Sequence, residues 1–257
     1  MSSVSVFGGS RPAPAWRAAA AVAAMELRQT ARRGENVLVT LVIPPAVLLF
    51  FATTGIVPDI AGRPVDFLLP GTLALAVIAS GLVNLGIATA YERSYGVLKR
   101  LGGSPLPRWG LVAAKITAVL VLELVQVALL VAVAVAALGW TPAVGISPAL
   151  GVAALLLGTL AFAGLGLLLA GTLRAEAVLA LANGLFLLFL MVGGIVLPVD
   201  HLPVPLDSIA RLLPAGALAE AFRIALSGAG DPGPALATLA AWGVVAAGLA
   251  ARTFRWE

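Results

Sequence analysis

The chain has 257 residues, of which 61% are hydrophobic and 11% charged, with a formal net charge of +4. A soluble domain carries about 25% charged residues, so this composition excludes a water-facing globular surface and points to a chain embedded in a bilayer. With no cysteine present, disulfides, thiolate catalysis and cysteine-ligated metals are excluded as well.

Residues 14–33 come first. Trp16, Ala20, Ala24 and Leu27 recur at helical spacing, with Arg17, Arg28 and Arg32 on another side. This pattern predicts an amphipathic helix lying on the inner membrane surface. The charges at Glu26, Arg28, Arg32 and Arg33 interrupt the stretch, unlike the single charged cluster and compact apolar core of a signal peptide.

Six long apolar segments follow, near 37–57, 67–90, 111–138, 148–173, 177–197 and 234–251. Each approaches the ~20 residues that a membrane-spanning helix needs. Backbone groups have no water to bond inside a bilayer, so spans must be helices or a closed barrel. Continuous apolar runs, not short alternating ones, favour helices. The expected fold is all-α: one transmembrane domain over 1–257 with six spans. Pro44 and Pro45 fall inside the first span and predict a kink there. Glycines such as Gly158, Gly164, Gly166 and Gly171 in the fourth span predict close helix packing.

Orientation follows from the basic residues. With the N-terminus in the cytoplasm, thirteen of the sixteen Lys and Arg residues fall on that side, leaving Arg63, Arg211 and Arg223 outside. Both termini are therefore expected in the cytoplasm of a bacterial-type plasma (inner) membrane. The basic groups then face anionic lipid, which accounts for the positive charge without a nucleic-acid partner.

Between the second and third spans lies Tyr91–Lys115, YERSYGVLKRLGGSPLPRWGLVAAK. Residues from Glu92 to Leu101 favour helix, and Gly102, Gly103, Pro105 and Pro107 break it. The stretch reads either as a rigid knob for a cytoplasmic partner or as a basic loop that satisfies the orientation rule. Between the fifth and sixth spans, residues 198–231 are rich in proline. Leu206, Ile209, Leu212 and Leu213 suggest one short helix there, and Ala217, Ala221, Ile224 and Ala225 a second, suited to the outer interface.

Among the polar side chains within the spans, Asn84, Glu123, Gln126 and Asn183 stand out. Glu123 lies twelve residues past Leu111, about 18 Å along a helix, near the bilayer middle. Such a carboxylate usually faces the bundle interior or a water-filled cavity. These four are candidates for a transport path or an interface, and equally for hydrogen bonds that tie helices together.

No Gly-x-x-x-x-Gly-Lys-Ser/Thr phosphate loop occurs, so ATP chemistry of that kind would need another chain. The single histidine, His201, adjoins Asp200 in the proline-rich region, where a surface role fits better than catalysis. One histidine and no cysteine also make a zinc site improbable.

Glu92-Arg93, then Gly96-x-Leu98-Lys99-Arg100-Leu101, then Pro105-Leu106-Pro107-Arg108 resembles the intracellular coupling segment of ABC transporter type-2 permeases. One departure is Ser94, where that family often has a second acidic residue. Pro198, Pro203, Pro214, Glu220 and Arg223 are similar to the family's proline-rich signature. Together with the N-terminal helix, the resemblance covers nearly the whole chain. It implies six spans with short re-entrant helices between the fifth and sixth. It also implies that residues 91–108 contact a separate ATP-binding subunit, which holds ATP and Mg, while this chain binds no cofactor. A second permease chain, identical or different, would complete the assembly. The expected function is export of a hydrophobic or amphipathic substrate, drug-like or lipid-like, as in multidrug efflux and antibiotic resistance. The alternatives are a polysaccharide exporter, a proton-coupled transporter using Glu123, and a non-transporting scaffold subunit.

Overall fold

The computed structural model describes residues 15–32, 34–54, 62–102, 108–195 and 206–253. Every regular element among them is helical. Helix α1 is Ala15–Arg32 and α2 is Gly34–Thr54. Helix α3 (Pro64–Ile78) runs through a π-helical stretch, Ala79–Asn84, into α4 (Leu85–Ser94). Then follow α5 (Val97–Gly102), α6 (Arg108–Leu138), α7 (Pro148–Thr172), α8 (Ala175–Val192), α9 (Leu206–Leu212), α10 (Pro214–Ser227) and α11 (Gly233–Thr253).

Five of these segments are long and apolar enough to cross a membrane: 64–94, 109–138, 148–172, 175–192 and 233–253. In α2 the apolar stretch is Thr40–Thr54, about 22 Å at 1.5 Å per residue. That is shorter than the ~30 Å hydrocarbon core, and residues 55–61, where the sequence extends the first span, lie outside the description. Large apolar side chains face outward along the helices, including Phe50, Leu124, Leu187 and Val244, as a lipid environment requires.

Local chemistry sets the helix ends. Pro64, Pro148 and Pro214 occupy first-turn positions, where the missing N–H costs nothing. Ser147 caps α7 by accepting from the Leu150 N–H at 3.3 Å. Gly228 ends α10 in the left-handed conformation at φ +69, as C-terminal glycines commonly do.

Helix α7 is the hub, packing on α11, α4, α10 and the π-helical stretch. Its small residues let neighbouring backbones approach. A Cβ on Gly166 would lie 2.5 Å from the Gly81 carbonyl oxygen, and one on Gly164 would lie 2.7 Å from Ala247 N. The resulting core includes Phe162 against Phe189, edge to face at 5.7 Å between centroids.

Three expectations need correcting. The segment from Glu92 to Leu101 is not one helix. It breaks at Tyr95–Gly96, where Gly96 takes φ +71, a conformation that favours glycine. Lys115 is not the end of a loop but sits seven residues inside α6, about 10 Å from its start. The two short helices do form between α8 and α11, but α10 does not lie on a surface. Pro214–Leu218, Ala221, Phe222, Ile224 and Ala225 are all buried, against α3, α7 and α11. On α9, Ile209 and Leu212 are exposed and Ala210 is buried.

Candidate functional site

The strongest electrostatic feature joins three helices. Lys115 of α6 is 1% exposed, yet its ammonium reaches two carboxylates: Glu26 of α1 at 2.6 Å and Glu92 of α4 at 2.7 Å. An ammonium buried without partners would be strongly penalised, so the two acids make its burial possible. The arrangement holds the N-terminal helix to the end of the Pro64–Ser94 segment. It also gives the cluster a net charge of −1. Sequence reasoning missed it. The signal was there: a lysine inside an apolar helix requires a counter-charge, and Glu26 is the acid of the amphipathic helix.

These three residues line a cavity of about 490 Å³ between α1, α2, the π–α4 segment and α6. Tyr95 and Val97, both exposed, stand at one limit of the cavity, and Thr40, Ser80 and Asn84 at the other. Tyr91 and Tyr95 form a tilted ring pair on its wall, 6.0 Å between centroids. Leu85, Val119 and Leu122 add an apolar surface.

The polar far wall is built by an irregular backbone. Pro44 has no N–H for the carbonyl of Thr40 four residues earlier. Gln126 of α6 supplies the replacement, donating from Nε2 to Thr40 O at 2.8 Å. Its Oε1 accepts from the Ser80 hydroxyl at 2.9 Å. Asn84 donates to the Thr40 hydroxyl at 3.2 Å. Ser80 and Asn84 both lie in the π-helical stretch, a form of irregularity frequent at functional sites. Gln126→Leu leaves the Thr40 carbonyl without that donor, and we expect a loss of about 1–3 kcal/mol. Thermal unfolding of the purified variant in detergent checks this.

The in-span candidates therefore separate. Asn84 and Gln126 share the Thr40 network. Glu123, 1% exposed, turns to α7 and bonds the Thr159 hydroxyl, while its Oε1 has no partner among the described residues. Asn183 is exposed and bonds its own helix at Leu179 O, 2.8 Å away.

The residues similar to a coupling segment form a short corner beside the cavity. After the Gly96 turn, Leu98 of α5 is fully buried among Leu85, Leu111, Ala163, Leu167 and Ala250. Helix α5 packs on α4, while Lys99 is exposed. Arg93 donates to Leu173 O at the end of α7, tying α4 to the α7–α8 corner. Arg100, Leu101 and Arg108 lie within helices, with their side chains outside the description. Pro105, Leu106 and Pro107 also lie outside it.

The opposite end is closed by Arg223. It bonds Glu220 at 2.7 Å and Gly194 O at 2.9 Å, and stacks over Phe67 at 4.8 Å from the ring centroid. Arg63 there grips Asp66 through two bonds of 3.0 Å and reaches Gly139 O at 3.2 Å. Pro214 begins α10, while Pro198, Pro203 and His201 lie outside the described residues.

Comparison with known proteins identifies the family. The family model described as "ABC-2 type transporter" matches residues 18–227, from α1 through α10. A protein of Bacillus subtilis (strain 168) named "Putative transport permease YvfS" is 26% identical over 198 residues, covering 74% of this chain and 77% of that protein. With the match running from the N-terminal helix through the cavity and the α4–α5 corner to α10, the chain belongs to the ABC-2 type transporter family of membrane transport permeases.

Proposed function

We propose that the chain is the membrane subunit of an ATP-driven exporter. A separate ATP-binding chain hydrolyses ATP with Mg and docks on the corner at residues 91–108. The full subunit has six spans, α2 being the first, with both termini in the cytoplasm and α9–α10 forming a re-entrant pair. A second permease chain, identical or different, completes the pore. The substrate is hydrophobic or amphipathic, as in drug or lipid-like export, and enters through the cavity beside the corner.

The observation that carries this reading is the anchoring of the corner. Buried Leu98 belongs to one apolar cluster with residues of α4, α6, α7 and α11, and Glu92 is held by Lys115. A push on α5 is thereby delivered to α4, α6 and α7 as a unit, which a loose basic loop would not do. Export needs two states that differ in substrate affinity, and a rigid lever is what links ATP closure to them.

A co-purification tests the reading. The chain is expressed with the ATP-binding protein encoded beside it, and hydrolysis is assayed in the captured complex. We expect a stable complex whose hydrolysis responds to substrate, with that response lost on Leu98→Asp. Failure to associate with any such protein would refute the reading. A proton-coupled carrier is the second reading, favoured by the unpartnered Oε1 of buried Glu123. It predicts transport without an ATP-binding chain.

A further inference from the structure

We propose that the cavity beside the Lys115 cluster is a binding site for a monovalent hydrophobic cation. Among the described residues its charged lining is Glu26, Glu92 and Lys115, two acids to one cation. Lys115 is 1% exposed and already sits between both acids, so an anion has no free cation to meet. An incoming cation does meet the acids, since Glu26 and Glu92 keep 14% and 13% of their side-chain surface accessible.

Two further observations define the ligand's body. Tyr91 and Tyr95 present adjacent rings on the cavity wall, and ring faces attract organic cations. Leu85 and Leu122 supply the apolar remainder. A volume of about 490 Å³ falls in the range of drug-sized pockets and exceeds what a metal ion needs. Small inorganic cations are also disfavoured because Lys115 already satisfies the inner oxygens. The site takes a bulky cation of single charge, its charged centre toward Glu26 and Glu92 and its apolar groups along the tyrosines. That this cation is cargo rests on the export reading above; that it binds does not.

Tetraphenylphosphonium and tetraphenylborate share one shape and carry opposite charges, so they test the site directly. Equilibrium dialysis against the full chain in lipid nanodiscs, corrected with empty nanodiscs, reads binding to protein alone. We expect the phosphonium to bind at least about tenfold more tightly than the borate. Glu26→Gln should weaken phosphonium binding about tenfold, and Tyr95→Leu about threefold. Equal binding of the two ions, or unchanged phosphonium affinity in Glu26→Gln, would overturn the proposal. If Glu26→Gln does not fold, the ion pair on the native chain and Tyr95→Leu decide it. The outcomes also separate the two claims. Charge-selective binding without a functional ATP-binding partner retains the site and removes the export role. A coupled ATP-binding partner without charge selectivity does the reverse.

Discussion

Lys115→Met will destabilise the folded chain by about 3 kcal/mol, read as a large drop in the thermal midpoint of the purified protein. The substitution keeps the length and apolar stem of the side chain but removes the ammonium that bonds both Glu26 and Glu92. Two carboxylates are then left facing each other at a largely desolvated junction of three helices. Removing one partner of a buried ion pair costs about 3–5 kcal/mol. The lower end applies because both acids retain some exposure. If charge compensation is the cause, the triple variant Lys115→Met, Glu26→Gln, Glu92→Gln will recover most of the loss, since a buried ionic group replaced as a set is often near neutral. Recovery absent from the triple variant would assign the effect to packing instead.

The second large effect belongs to Gly166. In Gly166→Ala the new Cβ would lie 2.5 Å from Gly81 O and 3.0 Å from Leu82 O. Both obstacles are backbone atoms of the π-helical stretch, which cannot rotate aside as a side chain would. Overpacking costs about 1–3 kcal/mol, and the rigid backbone places this case at the upper limit. Gly184→Ala is the control, because nothing lies within 4 Å of its Cβ position. We expect the control to match the parent chain in yield and midpoint, while Gly166→Ala yields little folded protein. Equal behaviour would mean that α7 and the π-helical stretch are not in the contact described.

The gross architecture was legible because it rests on length and polarity alone. Apolar blocks had to be helices, and the described spans fall where those blocks lie. In the structure the starts of α3, α7 and α10 are likewise set locally, by Pro64, Ser147 with Pro148, and Pro214. What could not be read were relations between distant positions. Lys115 joins Glu26 across 89 positions of sequence, and nothing local pairs them. Pro44 was legible as an irregularity, but its partner Gln126 was not, because the freed carbonyl of Thr40 can be satisfied by any donor that the fold delivers. The π-helical stretch has no sequence signal of its own; it is seen only in the spacing of Ser80 and Asn84 toward α2 and α6. Likewise the burial of α10 was not legible, because it rests on contacts with the distant α3, α7 and α11.

Energy coupling is the central claim, and vesicle transport measures it most directly. Inverted membrane vesicles carrying the chain and its ATP-binding partner, whose cytoplasmic face points outward, would be given ATP and a fluorescent hydrophobic cation in the bath, with and without a protonophore. The account predicts accumulation that requires both ATP and the partner, persists with the protonophore present, and is lost in Leu98→Asp. Accumulation without the partner that collapses on adding the protonophore would contradict it and assign the work to Glu123.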